Sequence, residues 1–382
     1  MYIPFNKPFI PWFRLGHLFR AALSGRIAGN GEYTKKCHRF FEERFGFRKV
    51  LMTTSCSDAL EMSALLCRIE PGDEVIMPSF TFMSTANAFL VRGAKIVFAD
   101  TLPGLPNIDP DEIQKLITPK TRVIVVVHYS GLACDMDRIM EIAGRHNLLV
   151  VEDAAHAIDS CYRGRPLGSI GHFGTFSFHE TKNINAGEGG LLIVNREEFE
   201  KRAEIIWEKG TNRAAFYRGE IDKYGWVDIG SSYLPSDMVA AFLYTQLVRF
   251  DKIQSHRKKV WWNYYRLLKP LEETGLVRCP VVPDFATVNG NIFYITVNSG
   301  QTRDDLLAWL KTRGITALFH YLPLHSSPYF KERHDGRELP NTDRFSSTLV
   351  RLPFYYSLGK KQIKFVVNSI NEFFHSQPVG SL

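Results

Sequence analysis

The stretch FSFHETKNINAGEGG, residues 176–190, places Lys182 between a short apolar segment and a glycine-rich turn. Most lysines extend into solvent, but the apolar residues before this one are typical of a buried strand. A lysine that is partly removed from water has a lowered pKa, and its neutral amine can act as a nucleophile or carry a proton. Lys182 is therefore a candidate catalytic residue, although a surface lysine is the ordinary alternative.

Short apolar runs alternate with helical patterns around that stretch, from about residue 50 to 195. The predicted strands are at 49–54, 73–79, 94–100, 122–131, 148–156, 174–179 and 189–195. The clearest helical patterns between them are at 57–66 and 136–147. Continuous β-branched runs that alternate with helices favour an α/β fold, with a mainly parallel sheet covered on both faces.

The pattern changes after about residue 275. Before that point, residues 196–210 and 236–274 are predicted helices; after it, residues 288–298 are strand-like and residues 302–314 and 360–374 are predicted helices. This part is typical of a smaller C-terminal α+β domain. We therefore expect a large domain over residues 1–250 and a small domain over residues 251–382.

The composition is ordinary for a soluble protein, with 382 residues, 45% of them hydrophobic and 23% charged. No segment is long and apolar enough to span a bilayer, and prolines interrupt the apolar N-terminus, so we expect no membrane partner and a cytoplasmic protein. The six cysteines form no CxxC pair, and their spacing suggests neither a metal site nor a disulfide framework.

The formal net charge of +7 is compatible with a nucleic acid, a membrane surface or an anionic small molecule as partner. No long basic run with interleaved aromatic residues is present, nor a helix-turn-helix or zinc-finger pattern. We therefore expect no nucleic-acid partner, and an anionic small molecule is favoured. Charged side chains scattered over the solvent-exposed surface would explain this net charge equally well.

Polar residues follow several predicted strands, where ligands bind in open α/β sheets. Ser55, Cys56 and Ser57 begin a helix after the strand at 49–54. Free N–H groups and hydroxyls at a helix start can bind a phosphate, although a plain helix cap would look the same. The chain has neither a GxxxxGK[ST] motif nor a GxGxxG motif after a strand, so the common nucleotide-binding fingerprints are excluded.

Asp153 ends another apolar strand, so its carboxylate needs a cationic partner such as a protonated ring nitrogen. Phe82 offers a flat apolar face on which such a ring could stack. Each residue alone has a structural explanation, as a cap or as core packing. A phosphate site, an acid for a ring nitrogen and a lysine for an aldehyde together match pyridoxal phosphate (PLP).

Long specific motifs occur along nearly the whole chain, namely IPFNKP, PGDEVIMPSFTFMSTANAFLVRGAKIVFAD, VVVHYSGLACDMD, VVEDAAHAI, GTFSFHETKN, GEGG, HYLPLH and RLPFYYSL. Together they resemble the DegT/DnrJ/EryC1 family of aminotransferases, which act on nucleotide-linked keto sugars. The resemblance implies the fold type I of PLP-dependent transferases, which is aspartate aminotransferase-like. It also implies a homodimer with shared active sites.

The resemblance assigns roles to five residues. Lys182 matches the lysine that binds PLP covalently, and Asp153 matches the carboxylate that pairs with its ring nitrogen. His156 occupies a position near the cofactor hydroxyl. Ser177 matches a serine that contacts the phosphate, and Phe82 matches the aromatic residue that stacks on the ring.

Two departures from the family pattern concern the phosphate. The usual Gly-Thr of the phosphate turn is replaced by Cys56 and Ser57, and the hydroxyl at position 57 preserves the expected contact. Relatives often carry an Asn that reaches the phosphate across the dimer interface, and Ser232 takes its position here. The shorter Ser232 puts that contact in doubt.

Residues 208–234 and the motif MPSFTFMSTANAF resemble a bacterial subgroup that makes dTDP-4-amino-4,6-dideoxy-D-galactose, a sugar of enterobacterial common antigen and some O-antigens. The resemblance implies transfer of the amino group of L-glutamate to C4 of dTDP-4-dehydro-6-deoxy-D-glucose. Lys209 and Arg213 are candidate diphosphate contacts. His320 and His325 are candidates at the pocket, although exposed charges and structural histidines are equally good explanations for these four residues.

Three alternatives stay open beside this function. Transfer at C3, or at C4 with the opposite stereochemistry, depends on the pose of the sugar. A PLP-dependent sugar dehydratase of the same fold would carry histidine in place of Lys182. A non-catalytic PLP-binding regulator would usually carry an added DNA-binding module, for which the sequence has no spare segment.

Overall fold

The computed structural model describes residues 1–12 and 15–376. The strands are β1 (Lys49–Thr53), β2 (Glu74–Pro78), β3 (Lys95–Ala99), β4 (Thr101–Leu102), β5 (Leu105–Ile108), β6 (Thr121–Val127), β7 (Leu149–Asp153), β8 (Cys161–Tyr162), β9 (Arg165–Pro166), β10 (Phe173–Ser177), β11 (Gly190–Val194), β12 (Val277–Arg278), β13 (Tyr294–Val297) and β14 (Leu349–Arg351). The helices are α1 (Gly16–Leu23), α2 (Glu32–Phe45), α3 (Cys56–Leu66), α4 (Met83–Leu90), α5 (Pro110–Leu116), α6 (Met136–His146), α7 (Glu197–Trp207), α8 (Arg213–Tyr217), α9 (Asp237–Leu247), α10 (Phe250–Glu273), α11 (Gly300–Thr312), α12 (Pro340–Thr348) and α13 (Lys360–Ser376).

A seven-stranded sheet forms the centre of the larger part, in the order β1-β11-β10-β7-β6-β2-β3. Strand β11 is antiparallel to both of its neighbours, β1 and β10. The pairs from β10 through β7, β6 and β2 to β3 are all parallel. The predicted α/β class with a mainly parallel sheet is therefore confirmed, with β11 as the reversed strand.

The sheet separates two apolar cores, because neighbouring residues of a strand point to opposite faces. In β6, Ile124 and Val126 lie in one core, and Val123 and Val125 lie in the other. Helices from both sides of the sheet contribute to these cores. This two-sided burial explains why the strands are continuous apolar runs rather than alternating ones.

A three-stranded antiparallel sheet, β12-β13-β14, lies in the C-terminal part. Its core is shared with apolar residues of α10, α11 and α13. Ile3 is fully buried in the same core and forms a parallel bridge with Ile315. The first residues of the chain thus pack with C-terminal elements, and the boundary between 1–250 and 251–382 stays a prediction.

Two later segments differ from their sequence prediction. The helical pattern at 236–274 divides into α9 and α10 at Val248 and Arg249. In the strand-like segment at 288–298 only β13 pairs. The residues before it are held by side-chain hydrogen bonds, since Asn289 Nδ2 donates to the backbone carbonyls of His156 and Ile158.

Candidate active site

A cavity of about 450 Å³ opens where β7 and β10 end. The side chains that line it come from these strand ends, from the starts of α3 and α4, and from C-terminal segments. Nine of them were predicted from the sequence: Ser55, Cys56, Ser57, Phe82, Asp153, His156, Ser177, Lys182 and His320. The fold therefore brings together in one cavity residues that lie far apart in the sequence.

Lys182 is half-buried in this cavity, on the loop that follows β10. Its backbone N–H donates to the carbonyl of His179 at 2.9 Å, and the loop closes through the N–H of Ala186 and the carbonyl of Phe178 at 2.7 Å. Burial lowers the pKa of Lys182 to about 8, partly opposed by the Asp153 carboxylate. A substantial share of the amine is therefore neutral near physiological pH.

The neighbouring residue Asn183 fixes the lysine loop to the rest of the chain. Its Nδ2 atom donates to Gln254 Oε1 and to the carbonyl of Asn289, both at 3.0 Å. Its Oδ1 atom accepts a hydrogen bond from Asn291 Nδ2 at 2.8 Å. A buried amide network of this kind holds the backbone of Lys182 in one position.

Asp153, the last residue of β7, is buried beside Lys182. Thr85 Oγ1 donates to its Oδ2 at 2.7 Å, and the N–H of Ala155 donates to its Oδ1 at 3.1 Å. Burial raises the pKa of Asp153, while these two hydrogen bonds and the Lys182 charge lower it. The carboxylate is oriented and lacks a full counter-charge, which suits a cationic ring nitrogen.

The start of α3 forms one end of the cavity. Ser55 caps this helix, because its side chain accepts a hydrogen bond from the N–H of Asp58 at 3.1 Å. Ser57 Oγ donates to Ser84 Oγ at 2.8 Å. Gly190 of β11 lies so close that an added Cβ would be 2.3 Å from the carbonyl of Ser55. A helix start with hydroxyls around it can bind a phosphate through its N–H groups and dipole.

Two neutral histidines lie on another side of the cavity. His156 Nδ1 accepts a hydrogen bond from the N–H of Ser130 at 3.3 Å, and the His320 ring lies 6.2 Å from the His156 ring. His320 Nδ1 is 3.0 Å from the hydroxyl of Tyr129. Burial lowers the pKa of both histidines well below its usual value, so both rings are neutral at pH 7.

Phe82 presents its ring to the mouth of the cavity and is 52% exposed, so it is not core packing. Its ring lies 6.3 Å from that of Tyr321. Tyr321, Thr85 and Arg351 also line the cavity, and none of the three was predicted from the sequence as a site residue. Tyr321 and Arg351 occur in the motifs HYLPLH and RLPFYYSL, which were the available signal.

Four predicted site residues lie outside this cavity in the single chain. Lys209 is exposed, and Arg213 donates to the hydroxyl of Tyr217 at 2.7 Å. Ser232 is exposed, and its backbone forms an isolated antiparallel β-bridge with that of Glu208. His325 is buried, with Nδ1 2.9 Å from Ser79 Oγ. The functional roles of these four residues stay predictions.

The sequence profile of the DegT/DnrJ/EryC1/StrS aminotransferase family matches residues 15–371, which is nearly the whole chain. The chain belongs to this family. The aminotransferase is 30% identical over 380 residues to the spore coat polysaccharide biosynthesis protein SpsC of Bacillus subtilis, and the match covers 97% of each chain.

Solved structures agree with this assignment. The aminotransferase TlmJ from Streptoalloteichus hindustanus superposes with a TM-score of 0.89 at 27% identity, over 98% of this chain and 99% of that one. The protein Spr1654 from Streptococcus pneumoniae, in its PLP form, superposes with a TM-score of 0.89 at 24% identity, over 98% and 99% of the two chains. Together they confirm the aminotransferase fold.

Aminotransferases of this family use PLP, as the sequence predicted. The residues around the cavity fit that cofactor. Lys182, with its lowered pKa, is suited to react with the cofactor's aldehyde, and the oriented Asp153 carboxylate is suited to pair with its ring nitrogen. The start of α3 is suited to bind its phosphate. Within residues 1–12 and 15–376, no group of three or more His, Cys, Asp or Glu side chains could hold a metal ion. In the same residues, no helix has the length and apolarity needed to cross a membrane.

Proposed function

We propose that this aminotransferase moves the amino group of L-glutamate to C4 of dTDP-4-dehydro-6-deoxy-D-glucose. The product would be dTDP-4-amino-4,6-dideoxy-D-galactose, for use in cell-surface polysaccharides. The observation that carries the proposal is the half-buried Lys182 in one cavity with Asp153 and the start of α3. This arrangement supports aminotransfer, and Lys182 argues against a dehydratase that would need histidine at that position.

The sugar nucleotide is supported by features outside that cavity. Residues 208–234 resemble the subgroup that aminates this sugar, and SpsC is named as a protein of polysaccharide biosynthesis. The net charge of +7 suits a substrate that carries a diphosphate. Lys209 and Arg213 are the proposed diphosphate contacts, and His325 is kept as a candidate near the sugar.

The cofactor would be held by residues of known position. Ser57, Ser177 and the N–H groups at the start of α3 would bind its phosphate. Asp153 would pair with its ring nitrogen, Phe82 would cover one ring face, and His156 would lie near its hydroxyl. When bound, PLP supplies an aldehyde that takes up the amine and a ring that withdraws electrons from the adjacent carbon.

Lys182 has the central task in the proton transfers. Its Nζ atom removes the proton from the donor carbon that carries the amine, and in the second half-reaction it delivers a proton to C4 of the sugar. A general base works best when its pKa lies near the working pH, and the pKa of Lys182 is about 8. The neutral His156 and His320 add no positive charge that would oppose protonation of this amine.

We also propose a cytoplasmic homodimer in which each active site receives Ser232 of the partner subunit. Ser232 is exposed and lies outside the cavity of its own chain, which is compatible with a contact to a second copy. Large apolar side chains are exposed in the same segment, among them Trp226 at 84%. Such side chains are common at protein interfaces.

The product identifies the reaction. We would incubate the holoenzyme with L-glutamate and dTDP-4-dehydro-6-deoxy-D-glucose and determine the product by NMR, with the Lys182→Ala variant as control. The proposal predicts an axial amine at C4 with the wild type and no product with the variant. An amine at C3 would contradict the proposal and indicate transfer at that carbon. An equatorial amine at C4 would contradict it and indicate transfer with the opposite stereochemistry. Turnover by Lys182→Ala would contradict the role of the lysine.

A further inference from the structure

His179 and Glu188 lie at the two ends of the loop that carries Lys182, and both line the cavity. A parallel bridge joins His179 to Gly187, and the N–H of Glu180 donates to the carbonyl of Gly187 at 2.9 Å. The N–H of Lys182 donates to the carbonyl of His179. The loop is therefore closed at its base, and the two side chains start from backbone positions that are fixed relative to the lysine.

The hydrogen bonds of His179 define which of its ring nitrogens can donate. Its Nδ1 atom accepts from the N–H of Thr181 at 3.3 Å, and the Thr181 hydroxyl lies 2.9 Å from the same atom. A nitrogen that accepts a backbone N–H carries no proton, so the ring proton is on Nε2. His179 therefore presents an Nε2–H donor to its surroundings.

This donor faces the Glu188 carboxylate without a direct hydrogen bond. The distance between His179 Nε2 and Glu188 Oε1 is 3.7 Å, which exceeds the range of about 2.7–3.2 Å for an N–H···O bond. The side chains are 42% and 71% exposed, so a ligand can reach both. A hydroxyl group beside the pair can accept from Nε2–H and donate to the carboxylate at the same time.

The ligands of the proposed reaction differ in how well they suit this pair. The carboxylates of L-glutamate and the diphosphate of the sugar nucleotide carry negative charge, which Glu188 would repel. The cofactor hydroxyl is proposed to lie near His156. The deoxyribose and the base lie beyond the diphosphate, far from the carbon that reacts. The hexose hydroxyls are uncharged and can both donate and accept, so they fit the pair best.

We propose that His179 and Glu188 bind the C3 hydroxyl of the hexose and thereby select the carbon that is aminated, an inference that rests on the proposed function. C4 must reach Lys182, and of its two ring neighbours only C3 carries a hydroxyl, since C5 carries the methyl group. The residues that bind this hydroxyl must therefore lie beside Lys182, as the two ends of its loop do. With the C3 hydroxyl held by the pair, C4 rather than C3 faces the lysine amine.

The test measures binding of two unreactive sugar nucleotides by calorimetry, with protein loaded with pyridoxamine phosphate. One is dTDP-6-deoxy-D-glucose, which has a hydroxyl in place of the C4 ketone, and the other is its 3-deoxy counterpart. The variants are Glu188→Met, Glu188→Gln and His179→Phe. Glu180→Met is the matched control, because Glu180 belongs to the same loop and is exposed but does not line the cavity.

Glu188→Met should raise the Kd for dTDP-6-deoxy-D-glucose roughly 10–100-fold, as expected for the loss of a hydrogen bond to a charged group. The Kd for the 3-deoxy compound should change less than about threefold, because that compound makes no such bond. His179→Phe should show the same selectivity with a smaller loss. Glu188→Gln keeps an acceptor oxygen and should recover part of the affinity, and Glu180→Met should bind both compounds as wild type does.

The same variants loaded with PLP should react with L-glutamate within about threefold of the wild-type rate, since the pair does not contact the donor. A slower reaction in Glu188→Met would show that the lysine loop is disturbed, which contradicts a role limited to the sugar. Absorbance of bound cofactor per chain shows whether each variant is folded and loaded.

Two binding results would overturn the inference while the proposed function stands. Either Glu188→Met binds dTDP-6-deoxy-D-glucose as wild type does, or it loses the same factor for both compounds, so that the C3 hydroxyl is not what the pair reads. A wild-type protein that binds neither compound would contradict the proposed sugar nucleotide itself, and the inference with it.

Discussion

Lys182 combines a low exposure with a nearby carboxylate, and these two features affect its pKa in opposite directions. Burial lowers the pKa because the charged amine loses hydration, and the Asp153 carboxylate raises it again. The result of about 8 lies between a solvent-exposed lysine and a fully desolvated one. At this value the amine can both attack an aldehyde and hold a proton.

The pKa of Lys182 predicts how the cofactor-free protein reacts with PLP. Only the neutral amine attacks the aldehyde, so the rate of absorbance gain should rise with pH with a midpoint of about 8. Asp153→Asn should move this midpoint to lower pH, because it removes the negative charge that stabilises the protonated amine. A wild-type midpoint near the ordinary lysine value of about 10.4 would contradict the burial argument.

Thr85 is expected to act as a positioning residue for Asp153. Thr85→Val removes the hydrogen bond to Asp153 Oδ2 and should lower kcat roughly tenfold, while Thr85→Ser should keep most of the activity. Since this bond lowers the pKa of Asp153, the acid limb of the pH–rate profile should also move to higher pH in Thr85→Val. If kcat falls while the acid limb stays in place, Thr85 contributes only to packing.

At the scale of elements, the close contact between β11 and the start of α3 shapes the predicted phosphate site. An added Cβ at Gly190 would lie 2.3 Å from the carbonyl of Ser55 and 2.5 Å from the N–H nitrogen of Cys56. Both neighbours are backbone atoms, so they cannot move aside as a flexible side chain would. The glycine-rich turn before β11 therefore ends in a residue that needs to be small.

Gly190→Ala should lower the free energy of unfolding by about 1–3 kcal/mol and weaken cofactor binding. Gly144→Ala is the matched control, because Gly144 lies in α6 with nothing within 4 Å of the added Cβ. This control should gain about 0.5–1 kcal/mol from the better helix propensity of alanine. Urea unfolding monitored by circular dichroism measures both values. Equal stability of the two variants would argue against a tight contact at Gly190.

The sequence predicted the strands of the large sheet closely, because β-branched runs buried on both faces leave a clear local pattern. The predicted strand at 148–156 corresponds to β7, which ends at Asp153. The segment at 288–298 was predicted less accurately, since Asn289 and Asn291 make side-chain hydrogen bonds to distant residues in place of strand pairing. Thr85 was missed for a similar reason, as it contacts Asp153 across 68 positions. Such long-range contacts leave no local signal.

At the scale of the whole molecule, the proposed dimer explains why Ser232 lies outside the cavity of its own chain. If the active sites are shared, two inactive variants can complement each other. Coexpressed Lys182→Ala and Ser232→Glu chains would form mixed dimers in which one site has both native residues. We expect about a quarter of the wild-type activity from a random mixture, and almost none from either variant alone.

A contact of Ser232 within its own chain predicts a different outcome, because each site of a mixed dimer would then carry one defect. No recovery of activity would therefore contradict the shared site. Full activity of Ser232→Glu alone would show that Ser232 does not approach the phosphate. Sedimentation analysis of the same samples checks that the chains form dimers.

The proposed function requires that Lys182 carries PLP and that L-glutamate gives its amino group to the cofactor. The most direct measurement is the visible absorbance of the purified holoenzyme before and after L-glutamate is added. We expect a yellow protein whose visible band disappears with L-glutamate and returns with 2-oxoglutarate. A band that L-glutamate leaves unchanged would contradict the proposed donor, and a protein that stays colourless after incubation with PLP would contradict the proposed role of Lys182 in holding the cofactor.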